Sequence, residues 1–182
     1  MDRAPVYGTG CWPFEPARAR STSPLPFVMK IDEIYMSEAL KEARKAFDLD
    51  EVAVGAIVVC KRKIIARAHN QTRLLRDPTA HAEMIALTQA ANSLKSERLL
   101  NCTLYVTIEP CPMCAGAMVW ARIKRLVFGA ADPKAGACGS VMNIASHRKL
   151  NHRINIAGGI LEEDCASLIG KFFRKQRAQG KK

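Results

Sequence analysis

No run of about 18 apolar residues occurs in the 182-residue chain, so the sequence offers no candidate membrane-spanning helix. The first 28 residues also lack the continuous apolar stretch that a secretory signal needs. No internal repeat is visible. Acidic side chains are scarce: 17 Asp and Glu face 28 Lys and Arg, leaving a net charge of +11. A balance of that sign suits a polyanionic partner such as nucleic acid, with an anionic membrane surface as the other option. Cysteine is too sparse for a disulfide scaffold, and seven is an odd number. Reduced thiols and a cytoplasmic location are therefore expected.

Five prolines fall within residues 1–28, with few periodic apolar positions, and such a composition cannot easily offset the entropy of ordering. A flexible N-terminal extension is expected there, followed by one domain over 29–182. From Ile31 to Phe47 the residues Met36, Leu40, Ala43 and Phe47 recur three or four apart. That spacing predicts a packing helix with Glu38, Lys41, Glu42 and Lys45 on its wet side. Val52, Val54 and the run from Ala56 to Cys60 read as a strand, joined to Ile64-Ile65 by a charged turn at Lys61-Arg62-Lys63. Asp77-Pro78-Thr79 marks a turn in which Thr79 is placed to cap a helix starting at Ala80. Further strands are expected at 102–107, 125–129 and 153–160, and a last helix carries Leu161, Cys165, Leu168 and Phe172 at helical spacing. Strands alternating with helices argue for an α/β domain with helices on both faces of a sheet.

The chemistry-bearing residues form two short motifs. His81-Ala82-Glu83 opens one predicted helix, and Pro110-Cys111-Pro112-Met113-Cys114 opens another. Pro112 suits the first helical position, which makes Cys111 the cap residue and puts Cys114 one turn later, so both sulfurs can leave the same helix end. The peptide dipoles there favour thiolate over thiol. His81, Cys111 and Cys114 thus supply three zinc ligands, and Glu83 stays free to carry protons. A catalytic zinc takes three protein ligands and keeps a fourth position for water, whose pKa drops to roughly 7 on the metal. The pairing of H-x-E with P-C-x-x-C is the signature of zinc-dependent nucleobase deaminases. A closed structural site would need a fourth protein ligand, for which His69, His147, His152 and Cys138 are the candidates, and a redox Cys pair would leave His81 and Glu83 unexplained. Cys60, Cys102 and Cys165 lie in apolar runs and read as buried small hydrophobes.

At these residues the sequence resembles the cytidine deaminase superfamily, and within it the bacterial tRNA-specific adenosine deaminases. The resemblance runs from about Met36 to Arg177 and is carried by Asp77-Pro78-Thr79-Ala80-His81-Ala82-Glu83, by Leu104-Tyr105-Val106-Thr107 leading to Glu109-Pro110-Cys111, and by Cys114-Ala115-Gly116-Ala117-Met118. Val127-Phe128-Gly129-Ala130 and Asn151-His152-Arg153 extend it. It implies a three-layer α/β/α fold with a central mixed sheet, a homodimer with one zinc per subunit, and hydrolytic conversion of wobble adenosine to inosine in the tRNA anticodon stem-loop. It further implies that Asn70, Ala82, Asp132 and Lys134, together with Phe172, Phe173 and Arg174 of the last helix, contact the substrate. Read from the residues alone, Asn70 is a loop residue, Phe172 core and the terminal basic residues a solvated tail. Pro112 between the cysteines is shared with guanine deaminases of the same superfamily, which are the runner-up. A zinc-stabilised RNA-binding module without catalysis is the reading from a different class. Residues 171–182 carry six basic side chains and no acid, which a free-base enzyme does not need.

Overall fold

A computed structural model describes residues 26–180. Nine elements follow one another: α1 (Pro26–Asp48), β1 (Gly55–Cys60), β2 (Lys63–His69), α2 (Ala82–Leu94), β3 (Cys102–Ile108), α3 (Pro112–Trp120), β4 (Arg125–Ala130), β5 (Asn155–Ala157) and α4 (Glu162–Ala178). Of the extension expected over 1–28, residues 1–25 lie outside the described residues, and 26–28 already belong to α1.

The strands form one sheet in the order β2-β1-β3-β4-β5. β1 runs antiparallel to both β2 and β3, whereas β3, β4 and β5 are parallel. The mixed sheet is covered on both faces, as the alternation of strands and helices requires. On one face Met36 and Leu40 of α1 and Cys165 of α4 pack on Ile57, Tyr105 and Val127. On the other, Ala86 and Leu87 of α2 and Met118 of α3 pack on Val58, Leu104 and Leu126. The result is the expected three-layer α/β/α arrangement. α1 lies so close to the sheet that a Cβ on Gly55 would overlap the backbone of Ala39 and Ala43, so no larger residue fits at the start of β1.

Several local expectations are revised. Glu42 is not on a wet face: it is buried and paired with Lys45 at 2.8 Å and with His69 at 3.7 Å. Helical periodicity cannot foresee partners brought in from a strand. Val52 and Val54 precede β1 rather than belonging to it. Lys61 and Arg62 both take positive φ, the backbone of a two-residue hairpin turn. The last strand shrinks from eight residues to three and stops before Gly158-Gly159. Thr79 does not cap α2. Its N–H and hydroxyl both donate to Asp77 at 2.7 Å, and the cap position falls two residues later, on His81.

A buried ion pair also ties α1 to β4. Arg125 reaches both carboxylate oxygens of the buried Asp32 at 2.7 Å, and the Tyr105 hydroxyl donates to the same carboxylate at 2.8 Å. Burial, with the carboxylate accepting its proton, pushes the Tyr105 hydroxyl pKa well above the ordinary phenol value.

Candidate active site

Because β1 runs opposite to β2, β3 and β4, the start of β1 and the ends of β2, β3 and β4 all lie at one end of the sheet. Val52 and Val54 before β1, Asn70 after β2, Ile108 and Glu109 at the end of β3 and Ala131 to Ala135 after β4 all line one cleft of about 560 Å³. Crevices beyond the carboxyl ends of parallel strands are the usual ligand sites of α/β sheets.

Two helix N-termini deliver the chemistry. His81 is the cap residue of α2, with extended backbone (φ −69°, ψ 152°), and Ala82 is the first helical residue. Cys111 caps α3 in the same way (φ −71°, ψ 172°), Pro112 occupies the first turn, and Cys114 follows one turn in. The His81 ring bonds nothing in its own helix, the Cys111 sulfur bonds Cys114 one turn into α3, and the two cap side chains face each other. The His81 Nδ1 lies 3.7 Å from the Cys111 sulfur and 3.5 Å from the Cys114 sulfur. The three donor atoms all fall within 4.8 Å of one another. Tetrahedral zinc with ordinary Zn–N and Zn–S bonds separates such donors by about 3.6 Å, so the set fits zinc in geometry as well as in chemistry. Among the described residues no fourth His, Cys, Asp or Glu joins the cluster. His69, His147, His152 and Cys138, the residues that could have closed a structural site, are not part of it.

The protons within the cluster are shared unequally. Hydrogen bonds from Cys114 and His81 outweigh burial and hold the Cys111 thiol down at about 4. The bond to Cys111, together with burial, pushes Cys114 far up. The bond to Cys111 also raises His81 despite its partial burial. Glu83 is 3 % exposed, lines the cleft beside His81 and Cys111, and has its pKa raised chiefly by burial.

Of the residues implicated in substrate contact, Asn70, Asp132, Lys134 and Phe173 line the cleft. Asn70 is buried at its base, and its amide nitrogen donates to Glu51 at 3.1 Å and to Thr72 at 3.0 Å. Asp132 accepts from the backbone N–H groups of Lys134 and Ala135, shaping the loop around itself. Ala82 is fully buried and does not line the cleft. Phe172 does not line it either. Phe172 is 1 % exposed and packs edge-on against Phe47 and Phe173, so it is a core residue, and it is Phe173, 44 % exposed, that meets the cleft. Arg174 is exposed on α4 outside the cleft lining.

Sequence reasoning missed two buried carboxylates and two cleft residues of α4. Glu51 accepts from Leu74 N–H at 2.7 Å as well as from Asn70, fastening the loop after β2. Glu109 accepts from the N–H groups of Asp132 (3.1 Å), Cys138 (2.9 Å) and Ser140 (3.0 Å) and from the Ser140 hydroxyl, fastening the loop after β4. Burial alone would raise the Glu109 pKa, but these bonds together leave it below the usual carboxylate range. Gly136 makes room for that carboxylate, since a Cβ there would overlap it. Ile169 and Arg177 of α4 complete the lining. Glu51 offered no signal beyond an acid near a strand start, which periodicity cannot separate from a solvated turn, and Glu109 stood in a stretch carrying the resemblance with no role attached to it.

A three-layer α/β/α fold with His, Cys and Cys converging from two helix starts, and a carboxylate in the same cleft outside that triad, defines the deaminase class. The family described as MafB19-like deaminase matches residues 31–177, and the chain belongs to it. It is 47% identical over 153 residues to the tRNA-specific adenosine deaminase of Bacillus subtilis (strain 168), covering 84% of this chain and 95% of that one. Among solved structures, one from a study of A-to-I editing by tRNA:A34 deaminases superposes with a TM-score of 0.72 at 44% identity, covering 74% of this chain and 98% of the other. A guanine deaminase from Bacillus subtilis gives 0.52 at 37% identity over 54% of this chain and 64% of its own.

Proposed function

We propose that the chain is a zinc-dependent tRNA adenosine deaminase that hydrolyses the wobble adenosine of an anticodon stem-loop to inosine and ammonia. The observation that carries this reading is the placement of Glu83, buried in the same cleft as His81 and Cys111 and outside the ligand triad. His81, Cys111 and Cys114 would hold one zinc ion per subunit, which would supply the Lewis acidity that makes water a nucleophile near neutral pH. Glu83 accepts the proton that water loses and hands it to the purine ring nitrogen next to the attacked carbon. It then takes the proton of the newly added hydroxyl and delivers it to the amine, so that the carbonyl forms as the carbon–nitrogen bond breaks and ammonia leaves neutral. Ala82, whose side chain is buried, would offer only its backbone N–H at the start of α2 to developing negative charge. Asn70, with its nitrogen committed to Glu51 and Thr72, is held in one orientation for reading the extruded base. Phe173 offers a stacking face, and Lys134, Arg174 and Arg177 offer positive charge to the flanking phosphates, with Asp132 shaping the loop that carries Lys134.

The guanine deaminase reading shares the metal chemistry but gives the basic face of α4 no task. Incubating the zinc-loaded protein with a stem-loop bearing wobble adenosine, and separately with guanine, decides between them. Inosine in the first reaction supports the RNA substrate, and xanthine from the second with no inosine rejects it. Loss of turnover in Glu83→Ala with RNA binding intact separates the enzyme from a non-catalytic RNA-binding module.

A homodimer belongs to the same reading. Trp120, 82 % exposed at the end of α3, lines a groove with Val119, Ile144 and Leu150, an apolar area a second copy of the chain would cover. A Trp120→Arg variant that sediments as monomer while the parent sediments as dimer supports it. No helix among the described residues is long and apolar enough to cross a membrane. A tRNA substrate fits an enzyme working in the cytoplasm.

A further inference from the structure

The last two turns of α4 carry Phe173 and Arg177 into the cleft, yet the helix has little to hold it there. Beyond Phe172 its one buried residue is Gln176, at 5 % exposure. Both ends of that amide are engaged. Its nitrogen donates to Asp50 at 2.7 Å, and its oxygen accepts from the Arg73 guanidinium at 3.0 Å. Arg73 closes the ring by donating to the Asp50 carbonyl at 2.7 Å and meeting the Asp50 carboxylate at 3.2 Å, while its charge lies 5.8 Å from the centre of the Phe172 ring. Lys175 approaches the same carboxylate at 3.5 Å. Three segments far apart in the chain are joined: the turn after α1, the loop that also carries Asn70 and Thr72, and the end of α4. None of Asp50, Arg73 and Gln176 lines the cleft.

We propose that this clasp is a positioning device for polynucleotide substrates. It holds the end of α4 at the cleft mouth so that Phe173 and Arg177 meet the nucleotides flanking the reacting base, and it contributes nothing to the chemical step. The inference rests on the RNA reading given above.

The test uses the full-length, zinc-loaded protein and an anticodon stem-loop with wobble adenosine, comparing the parent with Arg73→Met, Gln176→Leu and the double variant. Each single variant raises KM about fivefold, the scale of one broken polar network, and leaves kcat within about twofold. The double variant is no worse than either single, because both break one ring. The dependence of log KM on log salt becomes shallower by about 0.7 for each phosphate of a single-stranded segment that α4 no longer neutralises, a change that reduced stability alone does not produce. Zinc content stays at the parent's level. If one variant fails to fold, the other carries the same expectation. Unchanged KM and salt slope in the folded variants overturn the clasp, as does a fall in kcat at constant KM or a strictly additive double variant. A parent enzyme that forms no inosine from the stem-loop overturns the RNA reading itself, and the clasp with it. Inosine formation with normal variants overturns the clasp alone.

Discussion

Removing the Glu109 carboxylate should loosen the wall of the cleft without touching a metal ligand. In Glu109→Ala, four donors are left without their acceptor: the N–H groups of Asp132, Cys138 and Ser140, and the Ser140 hydroxyl. The Asp132 and Ser140 groups sit on residues that reach solvent and can turn to water, but Cys138 is buried, and stranding its N–H costs about 1–3 kcal/mol. Adding the missing charge-assisted bonds, and subtracting the desolvation that the carboxylate no longer suffers, the variant should be destabilised by about 3 kcal/mol. In a protein of this size that lowers Tm by roughly 6–12 °C. Glu109→Gln should fall between, because its remaining oxygen can serve Cys138 and Ser140 while its NH2 group meets the Asp132 N–H head-on. The sign of the pH dependence is fixed. The folded-state pKa lies below the ordinary glutamate value of 4.5, so the stabilisation is complete above that value and is lost as pH falls through the folded pKa. The Tm gap between parent and Glu109→Gln should therefore be constant from roughly pH 6 to 8 and close on acidification. Thermal unfolding followed by far-UV circular dichroism measures it, with limited proteolysis reporting on the 131–140 loop. A Glu109→Ala variant melting within about 2 °C of the parent, with no new cleavage in that loop, would show that the carboxylate does not fasten it.

Glu83→Gln should lower kcat by about a hundredfold to ten-thousandfold while the zinc content by atomic absorption stays at one per chain, since the loss is of proton transfer and not of a ligand. Cys111→Ser and His81→Ala should each lose bound zinc on dialysis and activity with it, and a chelator should do the same to the parent protein, reversibly on zinc addition. Asp32→Asn strands the Arg125 guanidinium and removes a tie between α1 and β4, so urea unfolding should show a loss of about 3–5 kcal/mol with the zinc content unchanged.

The His81, Cys111 and Cys114 cluster was legible from sequence because its determinants are local. A proline at the first helical position and a cysteine on either side of it fix Cys111 and Cys114 on one helix start, and His81 with Glu83 two residues on needs only the start of α2. The layer order was legible for a related reason, since apolar spacing records which face of a helix is covered. What escaped depends on contacts between distant segments. Glu42 reads as surface until His69 arrives from β2, and Glu51 and Glu109 read as turn acids until two loops fold over them. Phe172, read as core from the residues and as a contact only from the resemblance, shows the same dependence. Adjacent aromatics on a helix point about 100° apart, and only the place where α4 crosses α1, setting Phe47 against Phe172, decides which is interior.

The three candidate metal donors start from helices, whereas much of the remaining cleft lining hangs on loops and on the tip of α4. Altered specificity can therefore arise by remodelling Asn70, the 131–135 segment or the terminal turns while the ion's cradle stays intact. One scaffold could in this way be retuned from one amino-substituted ring to another without relearning how to break the carbon–nitrogen bond.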